Sequence, residues 1–360
     1  MSSQPPEDRA KPAKPVGHAS PGFLDGASIG RAASATIGLE FPDDEAVLSE
    51  HGSGVEGGGS SLVRALRGRL QHTRARAWLT ALEQLLDPAQ HREWIRRLRM
   101  RARSEEVDPF GLDPIYTERQ RPYLEFLYRS YWRIAASGMD RVPDHGRAII
   151  VANHGGVLPY DAVMLMYAIR YDHSAHRTAR PLLEDAPMRL PFLGTALNRL
   201  GCVRASQENA TKLLEGDRLV IVFPEGGKGT SKLHRQRYQL QRFGRGGFVK
   251  LALRTGAPIV PAAIIGAEEV HPLISKMRLG NRSLSPYLPI TPTFPWFGPL
   301  GVIPFPAMWM IRFGESIDLR DHNKDAARDT ALVNEVNDRV RTQIQAMLDD
   351  LVRERDARER

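Results

Sequence analysis

Residues 146–161 read GRAIIVANHGGVLPYD, and this stretch decides the fold that the sequence predicts. Five consecutive apolar residues, 148–152, are typical of a β-strand that is covered on both faces. The glycine-rich turn and the apolar segment from residue 161 onward predict a helix directly after that strand. A strand that leads into a helix is the repeating unit of α/β proteins, which bind ligands where such strands end.

The same alternation continues along the chain. Further strand-like runs lie at 201–204, 218–223, 258–265 and 308–313, and helix-like segments lie at 117–136, 161–170, 187–199, 206–215 and 246–255. We therefore predict an α/β domain over residues 116–322, with a mixed or parallel sheet flanked by helices. Residues 323–360 are expected to form an amphipathic helix that packs on this domain.

The region before the domain has a different composition. Residues 1–61 are rich in proline, serine and glycine and contain too little apolar surface to offset the entropy of ordering, which predicts a disordered tail. Residues 62–115 repeat leucine at helical spacing and are dense in arginine, which predicts a basic helical region. This region is either an amphipathic helix on an anionic membrane surface or a solvated helical face, and the sequence leaves both open.

Charge and cysteine content exclude several classes of protein. The 360 residues include 50 Lys+Arg and 42 Asp+Glu, a formal charge of +8, which alone does not distinguish lipid, nucleic acid or phosphorylated partners. One cysteine excludes an intramolecular disulfide, and His173 and His176 have no further ligand nearby, so we predict no metal site. No window of about 18 apolar residues and no apolar signal-like segment in residues 1–17 are present, so we expect a cytoplasmic protein.

The first candidate chemical cluster follows strand 148–152. It consists of Asn153, His154, Gly155 and Gly156, with Asp161 at the start of the next helix. A histidine paired with an aspartate is a general base with an orienting anion, and its proton would come from a substrate hydroxyl because no serine or cysteine is adjacent. Asn153 is a candidate substrate-binding residue, and the two glycines would let backbone amides approach a substrate. The alternative interpretation is a helix-capping aspartate beside an ordinary loop histidine, and the residues alone leave both open.

The second cluster is FPEGGKG at 223–229, directly after an apolar strand. The amides of Gly226 and Gly227, with a charge from Lys228, would suit one phosphate group, and Glu225 would position a polyol or a basic group. It is not a nucleotide-binding P-loop, because Lys228 is followed by glycine and the earlier glycine is missing. The alternative is a glycine-rich turn with a solvated lysine.

Four motifs in order carry a resemblance to a known family. They are Asn153-His154 with Asp161, Gly201-Cys202-Val203-Arg204, Phe223-Pro224-Glu225-Gly226 and Ile259-Val260-Pro261. Over about residues 120–320 the chain resembles the glycerophospholipid acyltransferases, the lysophosphatidic acid acyltransferase-like enzymes. It departs from their pattern in having six residues, not four, between His154 and Asp161, and GKG after FPEG. These departures place it in a divergent branch, similar to diacylglycerol-acyltransferase-like proteins.

The resemblance implies an O-acyltransferase. His154, supported by Asp161, would deprotonate an acceptor hydroxyl that then attacks the thioester of acyl-CoA or acyl carrier protein, with no other cofactor. Arg204, Glu225 and Gly226 would hold the phosphate-bearing part of a lysophospholipid or glycerol phosphate. The alternatives are a neutral-lipid acyltransferase, a hydrolase and a non-catalytic lipid-binding protein. Nucleic acid is not an expected partner, because the arginines cluster outside the predicted domain.

An apolar, proline-rich segment at 287–309 suggests how such an enzyme meets its lipid. The repeated prolines exclude a regular spanning helix. We predict an interfacial loop with Trp296, Phe297 and Trp309 at headgroup depth, and peripheral association with the inner membrane. The alternative is an apolar loop buried against the sheet.

Overall fold

The computed structural model describes residues 106–278, 287–298, 301 and 303–359. The tail predicted for residues 1–61 lies outside the described residues. So does the basic helical region predicted for residues 62–115, apart from its last ten residues. The bounds of these segments therefore stay predictions.

Strands and helices alternate over most of the described chain. The strands are β1 (Ala135–Ser137), β2 (Ala148–Ala152), β3 (Ala179–Leu183), β4 (Val203–Arg204), β5 (Leu219–Val222), β6 (Ile259–Ile265), β7 (Ser275–Arg278), β8 (Tyr287–Ile290) and β9 (Met310–Phe313). The α-helices are α1 (Pro114–Glu125), α2 (Tyr160–Tyr171), α3 (Asp185–Arg189), α4 (Leu193–Leu200), α5 (Gln207–Glu215), α6 (Gly227–Thr230), α7 (Gly247–Thr255) and α8 (Thr330–Glu359). A π-helical turn, Phe126–Tyr131, continues α1.

Seven strands form one sheet in the order β1-β9-β6-β2-β5-β3-β4, and β7 and β8 form a separate hairpin. Strands β6, β2, β5, β3 and β4 run parallel to one another, while β9 is antiparallel to β6 and parallel to β1. This confirms the predicted α/β fold with a mixed sheet. It also brings the carboxyl ends of the five parallel strands to one edge.

The sheet is covered on both faces, as its continuous apolar strands predicted. Ile150 of β2 packs into a core with residues of α1, α2 and α4, whereas Ile149 and Val151 pack into a second core with α5, α7 and α8. Helix α8 contributes a stripe of valine, isoleucine and leucine residues at helical spacing to that second core. None of the described helices has the length and apolar character needed to cross a bilayer.

The structure differs from the sequence pattern at two places in the sheet. Strand β3 was not predicted, because Arg180 interrupts its apolar pattern; that guanidinium is buried, paired with Asp108, and donates to Gly201 O at 2.7 Å. The helix predicted to run to residue 136 ends earlier, and Arg133, with φ of 48°, reverses the chain into β1.

The prediction that Trp309 contacts the membrane is wrong. Its side chain is fully buried and stacks on Trp132, with ring centroids 4.8 Å apart. The Trp132 indole in turn donates to Phe305 O at 3.1 Å, so this part of the apolar segment closes the core. Trp296 and Phe297, by contrast, are 71% and 63% exposed.

Candidate active site

The parallel strands bring polar side chains from distant parts of the chain to one edge of the sheet. His154 follows β2, Glu184 follows β3, Arg204 ends β4, Glu225 follows β5, and Glu268 follows β6. These positions lie at the carboxyl ends of the strands, where open α/β sheets bind ligands.

His154 and Asp161 form a buried pair. The Asp161 Oδ2 atom lies 2.6 Å from His154 Nδ1 and also accepts from the Gly155 amide at 2.9 Å. The other oxygen, Oδ1, accepts from the Ala162 amide at 2.8 Å, so the carboxylate is fixed by three groups. A proton on Nδ1 that is donated to Asp161 makes Nε2 the basic nitrogen of the neutral ring. The six intervening residues therefore still allow a direct contact.

The environment of His154 favours its charged form. Burial is the largest single effect and disfavours the imidazolium, but the Asp161 carboxylate together with Glu225 and Glu184 outweighs it, and the pKa of His154 is raised above its ordinary value. The Phe223 ring stacks on the imidazole at a centroid distance of 4.4 Å and holds its plane. The pair is thus built to stabilise a proton taken up on the ring.

Glu225 supports His154 from inside the protein. Its Oε1 atom accepts from the His154 amide at 2.9 Å, and its Oε2 atom accepts from the Gln241 amide at 2.7 Å. The residue is only 3% exposed, so the expectation that its carboxylate holds the acceptor is wrong. It acts instead on the backbone that carries the histidine.

Lys232 links Glu225 to Glu268. Its Nζ atom lies 3.3 Å from Glu225 Oε2 and 2.6 Å from Glu268 Oε1, and all three side chains are buried. Glu268 Oε2 also accepts from the Tyr238 amide at 2.8 Å. One buried cation thus offsets two buried carboxylates, and burial keeps the pKa of Glu268 raised in spite of Lys232.

Two glycines allow these segments to approach each other closely. A Cβ atom at Gly155 would lie 2.4 Å from Glu268 Cγ, and one at Gly229 would lie 2.9 Å from the Cβ atoms of both His154 and Glu225. A side chain at either position would push the histidine loop away from its supports.

Several residues predicted to bind substrate have internal roles. The side-chain Nδ2 of Asn153 donates to Ile264 O at 2.9 Å, and its Oδ1 accepts from the Ile264 backbone amide at 2.7 Å. Asn153 is fully buried and the Gly155 amide is bonded to Asp161, so the prediction of substrate contacts is wrong for both. Gly156 lies at φ of 88° beside this loop, and its predicted role stays a prediction.

The remaining predicted residues surround the mouth of the site. Arg204 Nε lies 2.5 Å from Asp185 Oδ1, and Arg204 Nη2 donates to Asp185 Oδ2 at 2.8 Å. Lys228 is exposed. A cavity of 430 Å³ opens beside His154, and its lining includes Glu184, Phe223, Gly226 and Gly247. The histidine and the second glycine-rich turn therefore meet at an open space.

Sequence reasoning missed Glu184 and Glu268. Glu184 follows a strand that the pattern did not reveal, and Glu268 lies in a short 3₁₀ turn, Ala267–Glu269, with no motif around it. Neither residue has a local signal, because Glu184 acts on a residue 43 positions away and Glu268 on one 36 positions away.

Comparisons with known proteins identify the family of this chain. A family model described as Acyltransferase matches residues 133–265. An uncharacterized protein of Mycobacterium tuberculosis, Rv0502, is 46% identical over 244 residues, which cover 67% of this chain and 68% of that protein. The chain belongs to the acyltransferase family. An uncharacterized protein of Mycobacterium leprae, ML2427, is 44% identical over 244 residues, which cover 67% of this chain and 66% of that protein.

Among solved structures, the chain is similar to the 1-acyl-sn-glycerophosphate (LPA) acyltransferase PlsC from Thermotoga maritima. That likeness has a TM-score of 0.42 and 15% sequence identity, and covers 76% of this chain and 92% of that one. The family resemblance drawn from the four motifs is confirmed at the level of the acyltransferase family, while the glycerophospholipid class and the assignment to a divergent branch stay predictions.

The first prediction concerns the protonation of His154. We expect NMR titration of its ring protons to show a pKa above the ordinary 6.5, because Asp161 stabilises the charged ring. Asp161→Asn should lower that pKa, since burial disfavours the charged ring and the carboxylate that stabilises it is removed. Asp172→Asn, which removes a carboxylate bonded to Tyr128 instead, should leave it where it is in the wild type. An unchanged pKa in Asp161→Asn would contradict the assignment.

The second prediction concerns the buried cation. Lys232→Met should lower the free energy of unfolding by about 3–5 kcal/mol in urea titrations at pH 8, because two buried carboxylates lose their shared partner. The loss should shrink at lower pH, because the variant lacks the cation that lowers the pKa of Glu268, and the folded variant then takes up a proton that neutralises an unpaired carboxylate. The matched control is Lys228→Met, an exposed lysine, with a change within about 0.5 kcal/mol. Equal losses for both variants would rule out this role for Lys232.

Proposed function

We propose that this protein transfers a fatty acyl group from an acyl thioester to the hydroxyl of a glycerolipid acceptor. The observation that carries the proposal is the 2.6 Å contact between His154 Nδ1 and Asp161 Oδ2 beside a 430 Å³ cavity. A general base oriented by a buried carboxylate suits proton removal from a hydroxyl, and membership of the acyltransferase family supports acyl transfer as the reaction.

The residues allow the following sequence of events. His154 Nε2 takes the acceptor's hydroxyl proton while the oxygen forms a bond to the thioester carbonyl carbon. The tetrahedral intermediate then collapses, the carbon–sulfur bond breaks, and the thiolate leaves and takes the proton from the imidazolium. Asp161 stabilises the charged ring between the two transfers, and general base catalysis of this kind typically contributes about 10²–10⁴-fold in rate. Acyl-CoA or acyl carrier protein is the proposed donor.

Two acceptor classes follow from the motifs. A lysophospholipid or glycerol phosphate would need a cation for its phosphate, and Arg204 is the residue that the family pattern assigns to it. A neutral lipid would not need that arginine. The two bonds from Arg204 to Asp185 favour the neutral class, because they already use the fork of the guanidinium.

A lipid acceptor requires contact with a membrane, for which the β7–β8 hairpin and the loop after it are the proposed surface. Ile274, Met277, Trp296 and Phe297 are each more than half exposed. The hairpin is tied to the site, since the Tyr287 hydroxyl donates to Thr230 O at 3.4 Å, at the end of α6. We propose that this apolar surface rests on the cytoplasmic face of the inner membrane.

The third prediction tests the reaction. Purified wild-type protein should release thiol from palmitoyl-CoA only when an acceptor is present, within a panel of lysophosphatidic acid, other lysophospholipids, monoacylglycerol and diacylglycerol. His154→Ala should reduce the rate by about 10²–10⁴-fold and retain the wild-type circular dichroism spectrum. Asp185→Asn, which alters the carboxylate shared by Arg189 and Arg204, distinguishes loss of the base from general damage to the site.

Other outcomes would point to other proteins. Thiol release without an acceptor would indicate a thioesterase, in which water replaces the hydroxyl. No release with either palmitoyl-CoA or palmitoyl-acyl carrier protein would contradict the proposal and favour a lipid-binding protein that lacks catalysis.

The fourth prediction tests the membrane surface. Replacing Trp296 and Phe297 together with serine should weaken co-sedimentation with vesicles of phosphatidylglycerol and phosphatidylethanolamine, because two exposed apolar side chains are lost. Ile115→Ser removes an exposed apolar side chain from α1 and should leave vesicle binding unchanged. Undiminished binding of the double variant would exclude this loop as the contact.

A further inference from the structure

The backbone amides that the sequence assigned to a phosphate already have partners. The Gly226 amide donates to Phe223 O at 3.0 Å. The Gly227 amide, the first of α6, donates to Glu184 Oε1 at 2.9 Å. A carboxylate of the protein therefore lies at the position where an acceptor phosphate was expected.

Both glycines make room for this carboxylate. A Cβ atom at Gly226 would lie 2.6 Å from Glu184 Oε1, and one at Gly227 would lie 3.2 Å from Glu184 Oε2. Gly226 also has φ of 54° and ψ of −147°, a conformation that residues with side chains rarely adopt. The turn after FPE is thus shaped around Glu184.

Glu184 brings a negative charge to this position. The described residues that line the 430 Å³ cavity beside His154 include Glu184 and no lysine or arginine. A neighbouring cavity of 710 Å³ shares Glu184 and adds Asp185, Glu208 and Arg204; Asp185 is paired with Arg189 as well as Arg204, and Glu208 is paired with Lys212. Arg204 is bonded to Asp185, and Lys228 lies outside both linings.

We propose that Glu184 is a specificity-determining residue that excludes phosphate monoesters, so that the acceptor is an uncharged glycerolipid such as monoacylglycerol or diacylglycerol. The inference rests on the proposed acyl transfer and names its acceptor class. A phosphate monoester carries a charge of about −1.5 to −2 near neutral pH. It would have to displace the Glu184 carboxylate from the Gly227 amide or accept like-charge repulsion beside it. An uncharged headgroup meets neither cost and still presents a hydroxyl to His154.

The experiment compares acceptors in the wild type and in two variants. Wild-type kcat/KM with palmitoyl-CoA should be at least about tenfold higher for monoacylglycerol than for lysophosphatidic acid. Glu184→Gln removes the charge and Glu184→Ala also frees the Gly227 amide. Each should raise the ratio of lysophosphatidic acid to monoacylglycerol kcat/KM by at least about tenfold. The matched control is Glu315→Gln, an exposed glutamate paired with Arg141, which should leave the ratio as in the wild type.

A binding measurement separates this inference from the proposed reaction. Glycerol 3-phosphate should bind Glu184→Ala more tightly than the wild type in isothermal titration calorimetry, whether or not the acyl donor is correct. If activity depends on His154 but both Glu184 variants keep the wild-type ratio of kcat/KM values for the two acceptors, the inference is overturned and the proposed acyl transfer stands. Wild-type preference for lysophosphatidic acid would overturn it as well. Absence of turnover with every acceptor would overturn the proposed function, and the inferred acceptor class would fall with it.

Discussion

The parallel alignment of five strands is the constraint on which the whole site depends. Residues 154, 184, 204, 225 and 268 are separated by up to 114 positions, and they meet because each follows or ends a strand that runs the same way. The apolar strands that build the two cores therefore also assemble the polar edge. Loss of register between β2 and β5 would separate His154 from Glu225 even if each strand still formed.

The buried ion cluster of Glu225, Lys232 and Glu268 then fixes the position of the segment that carries His154. Glu225 accepts a hydrogen bond from the His154 backbone amide, and Lys232 forms an ion pair with Glu225. Lys232 also forms an ion pair with Glu268, which follows β6. Buried ion pairs are weak contributors to net stability, and removal of one partner is costly. This ion cluster therefore serves mainly to fix the position of the His154 backbone and adds little to the net stability of the fold. Against the burial that disfavours its charged form, the carboxylates of Asp161, Glu225 and Glu184 raise the pKa of His154.

The sequence predicted the parts of this site that are coded locally. His154 and Asp161 lie on either side of one strand–turn–helix junction, so their contact follows from a pattern within eight residues. Asn153 lies in the same motif, yet its role is to join β2 to β6, a contact across 111 positions that no local pattern contains. Strand β3 is not predicted because Arg180, which is buried, interrupts its apolar pattern. The position of Glu184 at the end of this strand is therefore not predicted either. Trp309 shares an apolar segment with Trp296, and only the fold separates the buried ring from the exposed one.

A glycine-rich turn after a strand indicates that its amides meet an anion, but it does not identify the anion. In nucleotide-binding loops the partner is a phosphate of the ligand. Here the Gly227 amide meets Glu184, and the glycine at 226 avoids a clash with the same carboxylate. Glycines at these two positions are typical of a ligand-binding turn, but the close approach of the Glu184 carboxylate also requires them. A motif of this kind assigns a function only after the structure shows whether its donors are still available, and in this protein the Gly226 and Gly227 amides are not.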